Sequence, residues 1–164
     1  MRFVTRVFFI VPFISTTPLV AQSPARDRSG TWVLDIQNSN FGGAPAPASD
    51  SMTITRSGTM YQVDQYANAG TGAQHVSSQW PVGDGQVTNE VPEQGASMHS
   101  TITMRGDTAT FTGEISLQGQ VVATQSGRES LSPDGRTMTR VVDIQPLIGS
   151  SGPLHIVAVY LKKH

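Results

Sequence analysis

The sequence predicts an all-β protein whose strands follow one another as an up-and-down antiparallel meander. Apolar and polar residues alternate along several segments, and short turns rich in glycine, asparagine and aspartate recur between them. No stretch of ten residues has the apolar spacing of an amphipathic helix. Counting the segments gives about eight to ten strands. Because the free edges of so long a sheet invite aggregation, we expect closure into a barrel, with a β-sandwich as the alternative.

The N-terminal residues are expected to direct export rather than to join the fold. Arg2 and Arg6 flank the start of a short apolar run, residues 7–14, and small residues ending at Ala21 follow it. This order is that of a secretory signal peptide, and the run is shorter than the about 20 apolar residues that span a bilayer. A buried N-terminal strand is the alternative. We therefore predict a signal peptide over residues 1–21 and a mature protein in the periplasm or outside the cell.

The rest of the chain has the length of one domain. Residues 22–29 are rich in proline, serine and charge, which predicts a flexible leader before a domain over residues 30–164. There is no cysteine, so the exported domain has no disulfide. Losing Arg2 and Arg6 changes the formal net charge from −1 to −3, and no basic stripe remains, which argues against a nucleic-acid partner. No later segment is apolar enough to span a membrane, and the sequence does not indicate an oligomeric state.

Alternation predicts which side chains face the interior of the barrel. In the first strand Trp32, Leu34 and Ile36 share the apolar face. In a later strand the apolar face is that of Phe111, Ile115 and Leu117. Residues 38–51 form the one long stretch without strand character, and alternating Ala-Pro keeps it extended. We expect this stretch to be a linker or a lid across the barrel mouth.

Two charged residues fall on predicted apolar faces and form the candidate site. Arg140 shares the face of Met138, and Glu129 shares the face of Leu131. A charge there is costly unless it is paired or borders a wet cavity. The turn sequence "SPDG", residues 132–135, folds the two strands together and places Glu129 opposite Arg140. The pair is predicted to be either an ion pair at the barrel end or an inward anchor for a ligand headgroup.

The opening of the first predicted strand resembles that of lipocalins and fatty-acid-binding proteins, which together are called calycins. Gly30, Thr31 and Trp32 carry the resemblance. The stretch "GTWVLDIQNSNFGGAPAPASDSMTITRSG", with the later "SPDGRTMTRVV" and "VAVYLKK", is similar to small secreted lipocalin-like proteins of soil bacteria. The resemblance covers both ends of the mature chain. It implies a closed barrel in which Gly30 and Trp32 are structural residues and Trp32 packs across one end.

The resemblance also draws attention to the last predicted strand. Fatty-acid-binding proteins carry Arg-x-Tyr there, and both side chains take the ligand carboxylate. The matching residues here are Ala158, Val159 and Tyr160, so the tyrosine remains and the arginine is absent. Tyr160 is therefore a candidate ligand-binding residue beside Arg140 and Glu129, although the Arg-x-Tyr pair that binds the carboxylate of a fatty acid is incomplete.

The sequence predicts no catalytic residue, no metal site and no cofactor. The histidines have no metal-ligand spacing, although His99 or His155 is able to serve as the single axial ligand of a haem. Three functions remain open. We favour a binding module that holds a small apolar or amphipathic molecule in the lumen. The alternatives are a non-catalytic structural or interaction module of the cell envelope with a filled barrel, and a cavity-based enzyme or haem binder.

Overall fold

The computed structural model describes residues 26–69, 72–91, 94–149 and 152–163. The predicted signal peptide, residues 1–21, lies outside the described residues. Within the described ranges no helix is long and apolar enough to cross a membrane. The described residues form ten strands. They are β1 (Gly30–Leu34), β2 (Ser49–Ser57), β3 (Met60–Ala69), β4 (Gly72–Pro81), β5 (Gly85–Val91), β6 (Ala96–Arg105), β7 (Thr108–Leu117), β8 (Gln120–Leu131), β9 (Thr137–Pro146) and β10 (Leu154–Lys162).

The strands make one antiparallel sheet in the order β4-β3-β2-β1-β10-β9-β8-β7-β6-β5. Pairing of β1 with β10 joins the two ends of the meander, with Trp32 opposite Lys162. The sheet curls until β4 and β5, its two edges, lie side by side. The predicted all-β meander and its closure are confirmed: the result is a ten-stranded, nearly closed barrel, open along one seam between β4 and β5.

The barrel interior is filled most densely near the chain termini. The largest fully buried side chains are Trp32, Met52, Ile102, Met138 and Glu129. One apolar cluster surrounds Trp32 and Met138 at the end of the barrel that holds the termini, which we call the terminal end. A second, smaller cluster forms around Ile102 and Phe111. Trp80 packs against both clusters and therefore lies between them.

Two sequence predictions of inward-facing residues are wrong. Strand β1 ends at Leu34, and Ile36 begins a short 3₁₀ turn in which the Asp35 side chain accepts the N–H of Asn38, so that Ile36 is 39% exposed. In β7 the pairing with β8 shifts register between Ile115 and Ser116. The extra residue, Val122, lies in β8, and β7 keeps an unbroken register with β6. Leu117 is the last residue of β7, beside the turn at Gln118 and Gly119, and its side chain is 44% exposed.

Residues 26–29 are packed against the barrel, in contrast to the predicted flexible leader. The Arg26 backbone N–H donates to Asp107, and its guanidinium donates to the Ser132 carbonyl. Arg28 is only 3% exposed, and its carbonyl accepts the indole N–H of Trp32. The composition of this segment is that of a disordered chain, but its arginines find specific partners on distant turns. These four residues therefore belong to the folded domain.

The proline-rich stretch before β2 lies along β10. Asn40 and Val157 exchange two backbone hydrogen bonds of 2.7 Å each. Gly42 adopts φ +62°, and a side chain there would overlap the carbonyl oxygen of His155. The stretch is thus attached to the sheet at its start. Strand β2 begins at Ser49, so residues 49–51, the last three of the stretch predicted to lack strand structure, belong to a strand.

Candidate functional site

Three charged side chains meet inside the barrel, and we call them the charge cluster: Arg28, Glu129 and Arg140. The strand register places Glu129 directly opposite Arg140. Arg140 donates from Nε and Nη2 to Glu129 Oε2 at 3.0 and 2.7 Å, and Arg28 Nε donates to Glu129 Oε1 at 3.3 Å. The side chains of Arg28, Glu129 and Arg140 are 4%, 3% and 17% exposed. The carboxylate is therefore held between two guanidinium groups, away from solvent.

Local turn chemistry sets this arrangement. Between β8 and β9 the Asp134 carboxylate accepts the hydroxyl of Ser132 and the N–H of Arg136. Gly135 provides the positive φ of +68° that the turn requires. This tight connection determines which residues of the two strands face each other. Arg28 approaches from another element, where its Nη2 donates to the Asp107 carbonyl.

Two guanidinium groups share the Glu129 carboxylate, and the buried Asp50 carboxylate also acts electrostatically on Arg140. Arg28 Nη1 is buried and has no hydrogen-bond partner among the described residues. Burial alone would lower the pKa of Arg140, but Glu129, Tyr160 and Asp50 together outweigh this effect and raise the pKa. Arg140 therefore stays charged at any physiological pH. Arg140, which borders open space in the lumen, is the member of the cluster placed to attract a negatively charged group.

Aromatic rings enclose the Arg140 guanidinium. Its carbon lies 5.5 Å from the centroid of Trp80 and 5.9 Å from that of Tyr160, distances at which a cation is attracted to a ring face. The Tyr160 hydroxyl donates to Asp50 Oδ2 at 3.1 Å. Burial raises the pKa of Tyr160, and the hydrogen bond to Asp50 acts in the same direction. Tyr160 thus remains protonated and directs its proton to Asp50, while its ring supports Arg140.

The position of Arg140 bears on the arginine that is absent from β10. Ala158 occupies the place where fatty-acid-binding proteins carry that arginine, and the register puts Ala158 directly opposite Arg140. The guanidinium beside Tyr160 is therefore supplied by β9, the strand that pairs with β10. Arg140 and Tyr160 together provide the two kinds of side chain of the Arg-x-Tyr pair.

Two cavities border Arg140 and Trp80. The larger has a volume of about 140 Å³, and mainly apolar side chains line it, among them Val87, Ile102 and Phe111. The smaller, next to Arg28 and Glu129, has about 10 Å³, which is room for about one water molecule. Because both share Arg140 and Trp80, these two side chains divide the lumen into an upper cavity and a filled terminal end.

The remaining predicted residues lie outside the cavities. Trp32 is fully buried at the terminal end, with Lys162 Nζ 5.3 Å from its ring centroid. Gly30 has φ +135°, and a side chain there would meet the Lys162 side chain.

The two histidines considered for haem are exposed on the outer face of the barrel. His99 bonds Thr88 Oγ1 at 2.9 Å, and His155 bonds Asp143 at 2.6 Å beside a wide outer concavity of about 480 Å³. Neither ring faces the lumen. In the described part of the chain no group of three or more histidine, aspartate and glutamate side chains is placed to hold a metal ion.

Several residues of the site do not figure among the sequence predictions: Arg28, Asp50, Trp80 and Asn89. Asp50 lies on the same face of β2 as Met52 and Ile54. The signal that revealed Arg140, a charge on an apolar face, was therefore also present for Asp50. Arg28 lies outside any alternating pattern, and the sequence contains no signal for its insertion.

Comparison with known proteins identifies the fold. No protein-family model matches this chain, and no curated protein matches it. Several solved structures are similar to this chain. Rv2717c from M. tuberculosis has 16% identity and a TM-score of 0.55 over 84% of this chain and 93% of that chain. Fatty-acid-binding protein 1 of Echinococcus granulosus has 12% identity and a TM-score of 0.52 over 83% and 97%. Zebrafish ileal bile acid-binding protein complexed with cholic acid has 15% identity and a TM-score of 0.53 over 82% and 98%. The chain therefore shares the barrel fold of these three structures.

Proposed function

We propose that this chain is an exported barrel that binds a small amphipathic molecule in its lumen, with Arg140 as the anchor for an acidic headgroup. One observation carries the proposal: the charged Arg140 guanidinium borders a mainly apolar cavity of about 140 Å³. An apolar wall beside one cationic group is complementary to a molecule with an apolar body and an acidic end.

The structural neighbours support the same class of ligand. One is named as a fatty-acid-binding protein, and another is a bile acid-binding protein in complex with cholic acid. Both names refer to molecules that combine an apolar body with an acid group. The proposed ligand of this chain shares that chemistry.

Three side chains have distinct parts in the proposal: Arg140, Glu129 and Tyr160. Arg140, the most exposed of the three, would donate to the acid group. Glu129 is a positioning residue, because its two hydrogen bonds hold the guanidinium in place. The Tyr160 ring packs beside the Arg140 side chain and limits its movement.

Replacement of Arg140 by methionine tests the proposal. Loss of charge-assisted hydrogen bonds should weaken binding of a fluorescent anionic fatty-acid analogue by roughly 10- to 100-fold. Stability should change little, because Glu129 keeps Arg28 as its partner. The matched control is Arg128→Met, which removes an exposed arginine one position from Glu129 and should leave binding unchanged. Equal affinity of Arg140→Met and the parent protein would contradict the assignment of Arg140.

The second candidate function is a structural or interaction module with a filled barrel. The dense terminal end favours it, since Trp32, Met52 and Met138 are almost completely buried and the adjoining cavity holds about 10 Å³. Native mass spectrometry of the purified mature protein separates the two functions. A co-purified small molecule indicates the binding module, and a bare chain that takes up none of the tested amphiphiles indicates the structural one.

Export is the part of the proposal that rests on residues 1–21 alone. Their order of basic, apolar and small residues supports cleavage after Ala21 and release into the periplasm or the medium. N-terminal sequencing of the exported protein should find a start between about residues 20 and 26. A full-length product that stays in the cytoplasm would show that the segment is not a signal peptide.

A further inference from the structure

We propose that the ligand is a compact aromatic carboxylate of about one ring, and not a long-chain fatty acid. The inference rests on the proposed binding function and narrows it to a ligand class. It is carried by the size of the upper cavity, by the barrier that ends it, and by the side chains that line it.

The size of the cavity excludes long chains. Its volume of about 140 Å³ is close to the about 150 Å³ of an apolar protein cavity that holds benzene. Pockets for larger organic ligands have roughly 300–1,000 Å³. A single ring with its carboxylate directed at Arg140 matches this space, whereas palmitate requires a lumen that extends well beyond it.

A barrier of packed side chains ends the cavity toward the terminal end. The Arg140 guanidinium lies 5.5 Å from the Trp80 centroid, and Glu129 Oε2 accepts two hydrogen bonds from it. Glu129 is itself 3% exposed and also holds Arg28. Moving Arg140 aside would leave its buried guanidinium without the Glu129 carboxylate, which is energetically costly. A chain therefore cannot pass this point without disrupting the charge cluster.

The cavity wall is suited to an aromatic ring. Trp80 and Phe111 meet edge to face, with centroids 5.6 Å apart and planes at 74°. Ile102 and Val142 complete an apolar surface around them. A third ring can extend this edge-to-face arrangement. Such aromatic contacts contribute interaction free energy in addition to that from burial of apolar area.

Calorimetric titration of the mature protein with three acids tests the ligand class. Benzoate should bind, and it should bind about two- to tenfold more tightly than cyclohexanecarboxylate, its saturated counterpart. Palmitate should not bind. Equal binding of the two ring acids would overturn the aromatic preference.

Variants that fill the cavity test its location. Ile102→Phe adds a ring to the wall and should lower benzoate affinity by more than about tenfold. Thr101→Phe, the matched control, adds the same ring at the adjacent exposed position and should leave binding unchanged. Met98→Phe fills the cavity from another point of β6 and is used if Ile102→Phe does not fold.

The outcomes separate this inference from the proposed function. Tight binding of palmitate without binding of benzoate overturns the inference and leaves lumen binding intact. Benzoate binding that neither cavity-filling variant weakens also overturns it, because the acid then binds elsewhere. If no acid and no fluorescent fatty-acid analogue binds, the proposed function itself is wrong.

Discussion

Glu129 is the residue on which the interior charges depend. It is the hydrogen-bond partner of both Arg28 and Arg140, and it is 2% exposed. Removal of either arginine leaves one ion pair in place, whereas removal of Glu129 leaves none in the cluster. One carboxylate is therefore shared by two arginines, so its loss affects both ion pairs.

We predict that Glu129→Gln destabilises the protein by about 3–5 kcal/mol, because it removes the carboxylate with which both buried guanidinium groups form ion pairs. Arg140→Met should cost clearly less, since Glu129 then still pairs with Arg28. Urea unfolding of both variants measures the difference. Glu114→Gln, on the exposed face of β7, is the control and should change stability by less than about 0.5 kcal/mol. A smaller loss for Glu129→Gln than for Arg140→Met would contradict this account of the cluster.

At the scale of the strands, the seam between β4 and β5 is the weakest line of the barrel. Here one side chain replaces a ladder of backbone hydrogen bonds. Asn89 Oδ1 accepts the Gln79 N–H at 2.7 Å, and Asn89 Nδ2 donates to the Gln79 carbonyl at 3.3 Å. The amide of Asn89 thus imitates a backbone pair. Asn89 is 6% exposed and also lines the upper cavity.

Asn89→Ala should open the seam locally. The Gln79 N–H loses its partner, at a local cost of about 1–3 kcal/mol, so its hydrogen exchange should accelerate roughly 10- to 100-fold. Exchange resolved by NMR measures this amide directly. Glu90→Ala, which changes an exposed neighbour on β5, should leave the rate at Gln79 unaltered. An unchanged rate in Asn89→Ala would show that other contacts keep the seam closed.

For the molecule as a whole, exposed carboxylates on turns at the terminal end link stability to acid pH. The Asp84 carboxylate accepts the N–H of Met104 at 2.7 Å, which lowers its pKa, and Arg105 adds to the effect. The hydroxyl of Ser132 and then the N–H of Arg136 lower the pKa of Asp134. Both carboxyl groups therefore bind protons more weakly in the folded chain than in the unfolded chain.

The stability that these two carboxylates contribute should therefore be fully present above about pH 4, the pKa of an unfolded aspartate. It should be lost as the pH falls toward their lower pKa values in the folded chain. Urea unfolding at pH 6 and pH 3 measures this loss. Asp84→Asn removes one of the linked groups and should reduce the difference between the two pH values. A variant with the same pH dependence as the parent protein would show that Asp84 is not linked to folding.

The sequence alone determined the meander, its closure and the pairing of Glu129 with Arg140. These features depend on local chemistry: alternation chooses a face within each strand, and the "SPDG" turn sets the register of the hairpin that holds the pair. Whether the pair binds a ligand stays a prediction.

Only the tertiary structure decided the features that join residues far apart in the chain. Arg28 enters the charge cluster across 101 positions, and no local pattern encodes that contact. Leu117 is exposed at the last position of β7, although alternation places it on the apolar face. The volume of the upper cavity depends on how side chains from many strands pack together, and the seam depends on where the curled sheet meets itself. Alternation and turn residues act over a few positions and cannot determine either property.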